Sequence, residues 1–246
     1  MTKSQIDFRV RCYEQDFKGR IRPGAIFNWF QDAAGKQCLK HGVALEQIIP
    51  RGYTWVIHRY RVVIHNAPVY TQKCRVITWA YPKRDLISIR DYAIESETGE
   101  RLVSGTSEWV LLDMKTLRPL PLSTILADFP VCTESAAESG RTIKLPPGLA
   151  PCKKTEFDTP VWALDGNRHI NNSAYVIFAY ENMFPDVTAG HQLREIEVNY
   201  KKQGFYGQQL ASKAFKISDT QYLHSVELAD TGEPLALLKT VWENDG

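Results

Sequence analysis

The chain lacks most features that would mark a secreted, membrane-spanning or nucleic-acid-binding protein. Its five cysteines, Cys12, Cys38, Cys74, Cys132 and Cys152, are odd in number, scattered, and form no C-x-x-C pair. That argues against a disulfide framework and a ribbon- or finger-type zinc site, and predicts free, buried thiols in a reducing compartment. No run approaches the ~18 apolar residues of a spanning helix, so no membrane partner is expected. Met1 to Phe17 carries charges every few residues and no apolar core, so no secretory signal is read there. There is no excess of one charge sign either. Thirty basic residues face 28 acidic ones for a net charge of +2, too balanced for a nucleic-acid binder. His41, His58, His65, His191 and His224 share no metal-ligand spacing such as H-x3-H and are assigned structural or surface roles. The expectation is a cytoplasmic protein with no metal and no cofactor.

What is present is ordinary globular material. The 246 residues, 43% hydrophobic and 24% charged, suffice for one large domain or two of about 120 residues. Self-similarity decides for two. Asp16, Ile21, Ala25 and Trp29 match Asp165, Ile170, Ala174 and Phe178 at a constant offset of 149. Thr98-Gly99-Glu100, Leu102 and Trp109 match Thr231-Gly232-Glu233, Leu235 and Trp242 at a constant offset of 133. Two collinear matches imply a duplication with a difference in loop length. Between the copies, seven of the 13 prolines fall from Pro119 to Pro160, and this stretch reads as an extended linker. The expected division is 1–130 for the first repeat, 131–150 for the linker and 151–246 for the second repeat.

Each copy has the same order of elements. A short strand (Phe8–Tyr13; Lys154–Asp158) leads through a loop into a helix. Pro23 starts the first helix, and Ile26, Trp29, Phe30 and Ala33 mark its apolar face. Asn171 or Asn172 caps the second, whose run Ala174–Tyr180 is apolar nearly all round and therefore buried. Four strand-like segments follow each helix: Thr54–His65, Lys73–Ala80, Leu86–Ser96 and Arg101–Leu112, then Leu193–Lys202, Gln209–Ser218, Tyr222–Leu228 and Leu235–Trp242. Glu97–Glu100 and Asp230–Glu233 read as hairpin turns. Trp55, Trp79, Trp109 and Trp242 fall in these strands and are assigned to the core, with lining of an acyl tunnel as the alternative. A helix buried in an antiparallel sheet is an α+β layout, and it resembles the hot-dog fold present twice.

The copies differ where chemistry would sit. At offset 149, Asp165 falls opposite Asp16, but Asn167 falls opposite Lys18 and His169 opposite Arg20. A loop needing only its shape would have no cause to acquire an Asn and a His in one copy. Residues 165, 167 and 169, alternating along an extended loop, are expected to point the same way. They would converge at the positive end of the helix, whose amides would stabilise an oxyanion.

Asp165 through Tyr175 also fits D-x-N-x-H-[IV]-N-N-x-x-Y at every fixed position, and so resembles the signature of acyl-acyl carrier protein thioesterases. Thr78-Trp79, the chain length and the paired halves with a long linker extend that resemblance. It implies hydrolysis at a thioester carbonyl, with Asn167 orienting the carbonyl and His169 in proton transfer. Asp165 would fix their geometry and carry negative charge toward the nucleophile. Asn171, Asn172, Arg168, Lys201 and Lys202 are weighed as substrate-binding, the basic ones toward an acidic acyl carrier protein or the phosphopantetheine phosphate. The family carries a Glu after a Tyr and two basic residues, followed by Cys in plant members. Here Tyr200-Lys201-Lys202 is followed by Gln203 and Gly204. A neutral amide is neither general base nor nucleophile, so a Cys-His-Asn account is excluded and Gln203 is given only a water-holding or hydrogen-bonding role.

Three other readings stay open at this point: an acyl-CoA thioesterase of the same fold, an acyl-thioester hydratase, and a non-catalytic acyl-binding protein. A homodimer of the double unit is compatible with all of them.

Overall fold

Alternation at the start of the chain builds an edge strand. In the computed structural model, which describes residues 2–245, β1 spans Ser4–Arg9 and alternates half-buried with exposed residues. This corrects the expectation of a strand over Phe8–Tyr13. The Glu14 carboxylate accepts a hydrogen bond from the Arg11 amide at 2.9 Å and another from the Trp29 indole at 2.9 Å, drawing Cys12–Glu14 into a 3-10 turn. A side-chain contact with the helix, invisible to periodicity, ends the strand early.

The chain divides into two compact units, residues 1–140 and 141–246. In the first, helix α1 (Pro23–Lys40) begins at Pro23, whose missing amide donor costs nothing in a first turn. A short helix α2 (Leu45–Ile48) leads into strands β2 (Tyr53–Ile64), β3 (Lys73–Arg84), β4 (Ile87–Ser96) and β5 (Arg101–Asp113). These form an antiparallel sheet in the order β1-β3-β4-β5-β2. The expected apolar face packs on it: Ile26, Trp29, Phe30 and Ala33 are all buried. Phe27 meets Tyr60 at 4.8 Å between centroids, and Phe30 stacks on Tyr92 at 4.4 Å. Gly105 of β5 makes that approach possible, because a Cβ there would stand 2.6 Å from the Phe30 ring.

The short helix α3 (Ser123–Leu126) is followed by irregular chain up to β6 (Lys153–Asp158). This segment is fixed by hydrogen bonds rather than by regular structure. Within the first unit, Glu134 O accepts from the Trp79 indole at 2.6 Å, and Ala136 N donates to Asp91 Oδ2 at 3.0 Å. Within the second, Arg141 N donates to Glu197 and Ile143 N to Asn199, at 2.7 and 2.8 Å.

The second unit repeats the layout. Helix α4 (Asn172–Glu181) precedes β7 (His191–Tyr200), β8 (Gln209–Lys216), β9 (Gln221–Leu228) and β10 (Pro234–Asn244), paired in the order β7-β10-β9-β8-β6. Six of the ten residues of α4 are buried, as its uniformly apolar sequence requires. Gly99 and Gly232 hold positive φ (85° and 70°) in the two expected hairpin turns. Each unit is thus a helix on a five-stranded antiparallel sheet, the α+β double hot-dog.

Candidate active site

The loop Asp165–His169 is a turn closed on one carboxylate. Asp165 Oδ1 accepts from the amides of Asn167 (2.8 Å) and His169 (3.0 Å). The backbone closes the same ring, with Asp165 N donating to His169 O at 2.8 Å and Arg168 N to Asp165 O at 3.0 Å. The extended loop with three parallel side chains is therefore corrected. A carboxylate that accepts two amides folds the segment on itself, and Arg168 takes a left-handed φ of 63° to complete the turn.

The first unit contains the same turn without the same side chains. Asp16 Oδ1 accepts from the amides of Lys18 (2.8 Å) and Arg20 (3.0 Å), and Asp16 N donates to Arg20 O at 2.7 Å. Gly19, with φ 74°, occupies the place of Arg168. The shared aspartate is thereby accounted for as the residue that shapes the loop. The side chains that differ are Asn167 and His169, opposite Lys18 and Arg20.

Beyond the turn, Asn171 is the N-cap of α4, its Oδ1 accepting from Ser173 N and from Ser173 Oγ, both at 2.9 Å. Most amides expected to face an oxyanion are already used. Ile170 N donates to Gly204 O, Asn171 N to Ala163 O, and Ala174 N to Asn171 O. From Asn167 to Ala174 only the Asn172 amide has no acceptor among the described residues. The expectation of several free backbone donors at the helix start is corrected: the Asn172 amide alone is unused among the described residues.

One anchor escaped sequence reasoning. The Tyr175 hydroxyl accepts from Gly204 N at 3.1 Å, fastening the strand-end segment 201–204 beside the loop. Burial pushes the Tyr175 hydroxyl up to about 12, so it stays a neutral phenol. Its place as the last fixed position of the motif was the available signal. Gly204 is constrained by the same packing: a Cβ there would meet Ile170 Cδ1 at 2.5 Å, Leu235 Cδ1 at 3.0 Å and the Tyr175 hydroxyl at 3.1 Å.

Asn167 is exposed, and its side chain makes no hydrogen bond among the described residues. His169 is half-buried; its ring stands edge-on to Phe205, 5.1 Å between centroids, and neither ring nitrogen is bonded within the described residues. The backbone beneath both side chains is fixed by the Asp165 carboxylate. Gln203 is exposed and hydrogen-bonds no neighbour among the described residues, so that part of its expected role is not found. Lys202 is committed to an ion pair with Glu233, whereas Lys201 and Arg168 are exposed and have no such pair. Asn172 is half-buried and accepts from the Tyr200 hydroxyl through its carbonyl, at 3.0 Å.

Elsewhere, burial of thiols holds fully for Cys74 alone. Cys12 and Cys152 are exposed and Cys38 and Cys132 intermediate, all unpaired. Cys12 opens the 3-10 turn after β1, and Cys152, just before β6, donates its thiol to Ala214 O at 3.2 Å. Trp79 and Trp242 are buried, but Trp55 and Trp109 line a cavity of about 400 Å³ in the first unit. His224 is fully buried against Thr240 Oγ1 at 2.9 Å. Among the described residues, no group of three His, Cys, Asp or Glu is placed to hold a metal ion, and no helix is long and apolar enough to cross a membrane.

Comparison with known proteins adds a family to this geometry. A family model described as the acyl-ACP thioesterase N-terminal domain matches residues 2–128, and its C-terminal counterpart matches residues 150–244. A chloroplastic palmitoyl-acyl carrier protein thioesterase of Gossypium hirsutum is 26% identical over 213 residues, which cover 80% of this chain and 51% of that protein. A chloroplastic oleoyl-acyl carrier protein thioesterase of Coriandrum sativum is 24% identical, covering 80% and 58%. The chain thus spans little more than half the length of these relatives. An acyl-ACP thioesterase from Bacteroides thetaiotaomicron has a TM-score of 0.89 at 21% identity, with 98% of both chains covered. The 12:0-ACP thioesterase from Umbellularia californica has a TM-score of 0.90 at 19% identity, covering 100% of this chain and 98% of that one. At such identities the likeness establishes the fold.

Proposed function

The chain belongs to the acyl-ACP thioesterase family, and from that premise we propose that it hydrolyses fatty acyl–acyl carrier protein thioesters to free fatty acid and carrier thiol. The observation that carries this reading is the asymmetry of the two Asp-closed turns. Both are held alike by Asp16 and Asp165, but only the second presents a side-chain amide and an imidazole that hydrogen-bond nothing among the described residues.

In the reaction, His169 takes a proton from water as the water oxygen bonds to the thioester carbon. The Asn167 side-chain amide and the Asn172 backbone amide donate to the developing oxyanion; losing one such donor typically costs on the order of 10²–10³ in rate. Collapse of the intermediate breaks the carbon–sulfur bond, and the imidazolium returns its proton to the departing thiolate. Asp165 is a positioning residue, its carboxylate accepting the Asn167 and His169 amides. Gln203 is outside the chemistry. Arg168 and Lys201 meet the acidic carrier or its phosphopantetheine phosphate. Unpaired thiols at Cys12 and Cys152 suit the reducing cytoplasm, which we propose as the compartment.

Incubation with carrier-protein and CoA thioesters of graded chain length, following thiol release and enoyl hydration, tests the proposal. Thiol release faster from the carrier-protein thioesters supports it. Hydration, binding without turnover, or preference for CoA overturns it.

A further inference from the structure

The segment that lies against the Asp-closed turn is also built twice. In the second unit, Gln208 folds residues 205–208 back on themselves. Its Oε1 accepts from Phe205 N at 2.7 Å, and its carbonyl accepts from Thr159 N at 3.0 Å and Thr159 Oγ1 at 2.7 Å. Gly207 holds φ 83° inside that fold. In the first unit, Gln72 does the same for residues 69–72. Its Oε1 accepts from Val69 N at 3.0 Å, its carbonyl accepts from Val10 N at 3.1 Å, and Thr71 holds φ 66°. Each segment then meets the Asp-closed turn of its own unit through one antiparallel bridge, Val69 with Arg20 and Phe205 with His169. The hydrogen-bonded frame is shared, and the side chain across the bridge is not. A short aliphatic residue stands beside Arg20, and an aromatic ring stands beside His169.

A working imidazole is normally oriented by a hydrogen bond from one ring nitrogen to a carboxylate or a carbonyl. His169 makes no such bond among the described residues, and the Asp165 carboxylate is occupied by the Asn167 and His169 amides. The last side-chain torsion of a histidine is broad and roughly two-fold, so another contact has to select the ring plane. Phe205 supplies one: the two rings stand at 89° with 5.1 Å between centroids, an arrangement that aromatic pairs favour. Burial does not account for a phenylalanine at this position, since it is 44% exposed. We propose that Phe205 is the positioning residue for His169, its ring fixing the plane of the imidazole while Gln208 fixes Phe205. The geometry stands without a substrate, and only its consequence for the rate rests on the hydrolysis proposed above.

Two readouts on the whole chain test this, one of them independent of turnover. The NMR signals of the His169 ring protons, identified by their loss in His169→Gln, should be displaced from free-histidine positions by the Phe205 ring current. Phe205→Leu should return them, and Phe205→Tyr should keep the displacement. In steady-state thiol release, Phe205→Leu should lower kcat roughly two- to tenfold, the value of one aromatic pair, with KM within about twofold of the unaltered value. Phe205→Tyr should recover most of that rate. Gln208→Ala should reproduce the fall, Gln208→Glu should relieve it, and the Phe205→Leu/Gln208→Ala pair should fall no further than either change alone. Ring-proton signals that stay displaced in Phe205→Leu, an unchanged kcat, a loss confined to KM, or full additivity with Gln208→Ala overturns the proposal. If the unaltered chain releases no thiol, the hydrolytic reading falls, and the ring-proton signals alone decide for or against Phe205.

Discussion

Arg168 holds the same left-handed backbone conformation as Gly19, its counterpart 149 residues earlier, with φ of 63° against 74°. That conformation costs a residue with a Cβ roughly 1–2 kcal/mol and costs glycine almost nothing sterically. An arginine in a glycine position fits the use proposed above for its side chain at the carrier protein. Arg168→Gly is therefore expected to leave stability unchanged or raise it by up to about 1 kcal/mol, relief of strain being partly offset by the freer unfolded chain. The same variant should raise KM for the carrier-protein thioester and spare kcat. Chemical denaturation and steady-state kinetics on one preparation check both halves.

Asp165 separates shape from charge. An asparagine can still accept both amides through its side-chain oxygen, whereas alanine accepts neither. Asp165→Asn should keep the turn and lose only part of the rate. Asp165→Ala should lose the turn and nearly all activity. Equal, complete loss in both, with the loop's amide exchange protection intact in Asp165→Asn, would make the negative charge indispensable.

Gly204 is held to a bare backbone by Ile170, Leu235 and Tyr175. Gly204→Ala is expected to destabilise by about 1–3 kcal/mol through overpacking. The closest clash is with the Ile170 δ-methyl, so Ile170→Val in the same chain should recover part of the loss. A double-mutant cycle on denaturation midpoints reads the coupling directly, and strict additivity would place the strain elsewhere.

Two buried groups give the stability–pH curve opposing contributions. Burial raises the Asp91 carboxyl from 3.8 to about 6, partly offset by hydrogen bonds to it. Its contribution is full below its unfolded value and is lost as pH rises through about 6. Burial lowers the His224 imidazole from 6.5 to about 3. Its contribution is full above 6.5 and is lost as pH falls toward 3. Asp91→Asn should therefore be more stable than the parent at neutral pH, by on the order of 2–3 kcal/mol, with the gain fading in acid. His224→Gln should flatten the acid limb by up to about 1.4 kcal/mol per pH unit. Denaturant midpoints across roughly pH 3–8 for the three proteins resolve the two slopes.

What the sequence exposed and what it hid follow from how local each cause is. Pro23 at a first turn, Asn171 as a cap and the alternation of the long strands are set by a few adjacent residues, and they could be read directly. The repeat could be read because Asp, Ile, Ala and an aromatic residue do the same structural work twice. The end of β1 could not, since Glu14 reaching Trp29 decides it across 15 residues. The turn at Asp165 was mistaken for extended chain because alternating polar residues look alike whether or not a carboxylate folds them back. Tyr175 as the anchor of Gly204 exists only once helix and strand end are packed together. Asn167 and His169 were legible as candidates for a simpler reason: the first repeat is a built-in control that lacks them.

The most direct test of the central claim is single-turnover thiol release from a carrier-protein acyl thioester, comparing the unaltered chain with Asn167→Ala and His169→Ala. The account predicts losses on the order of 10²–10³ for Asn167→Ala and roughly 10²–10⁴ for His169→Ala, with the fold and thioester binding retained. Release within about twofold of the unaltered rate in either variant would contradict it.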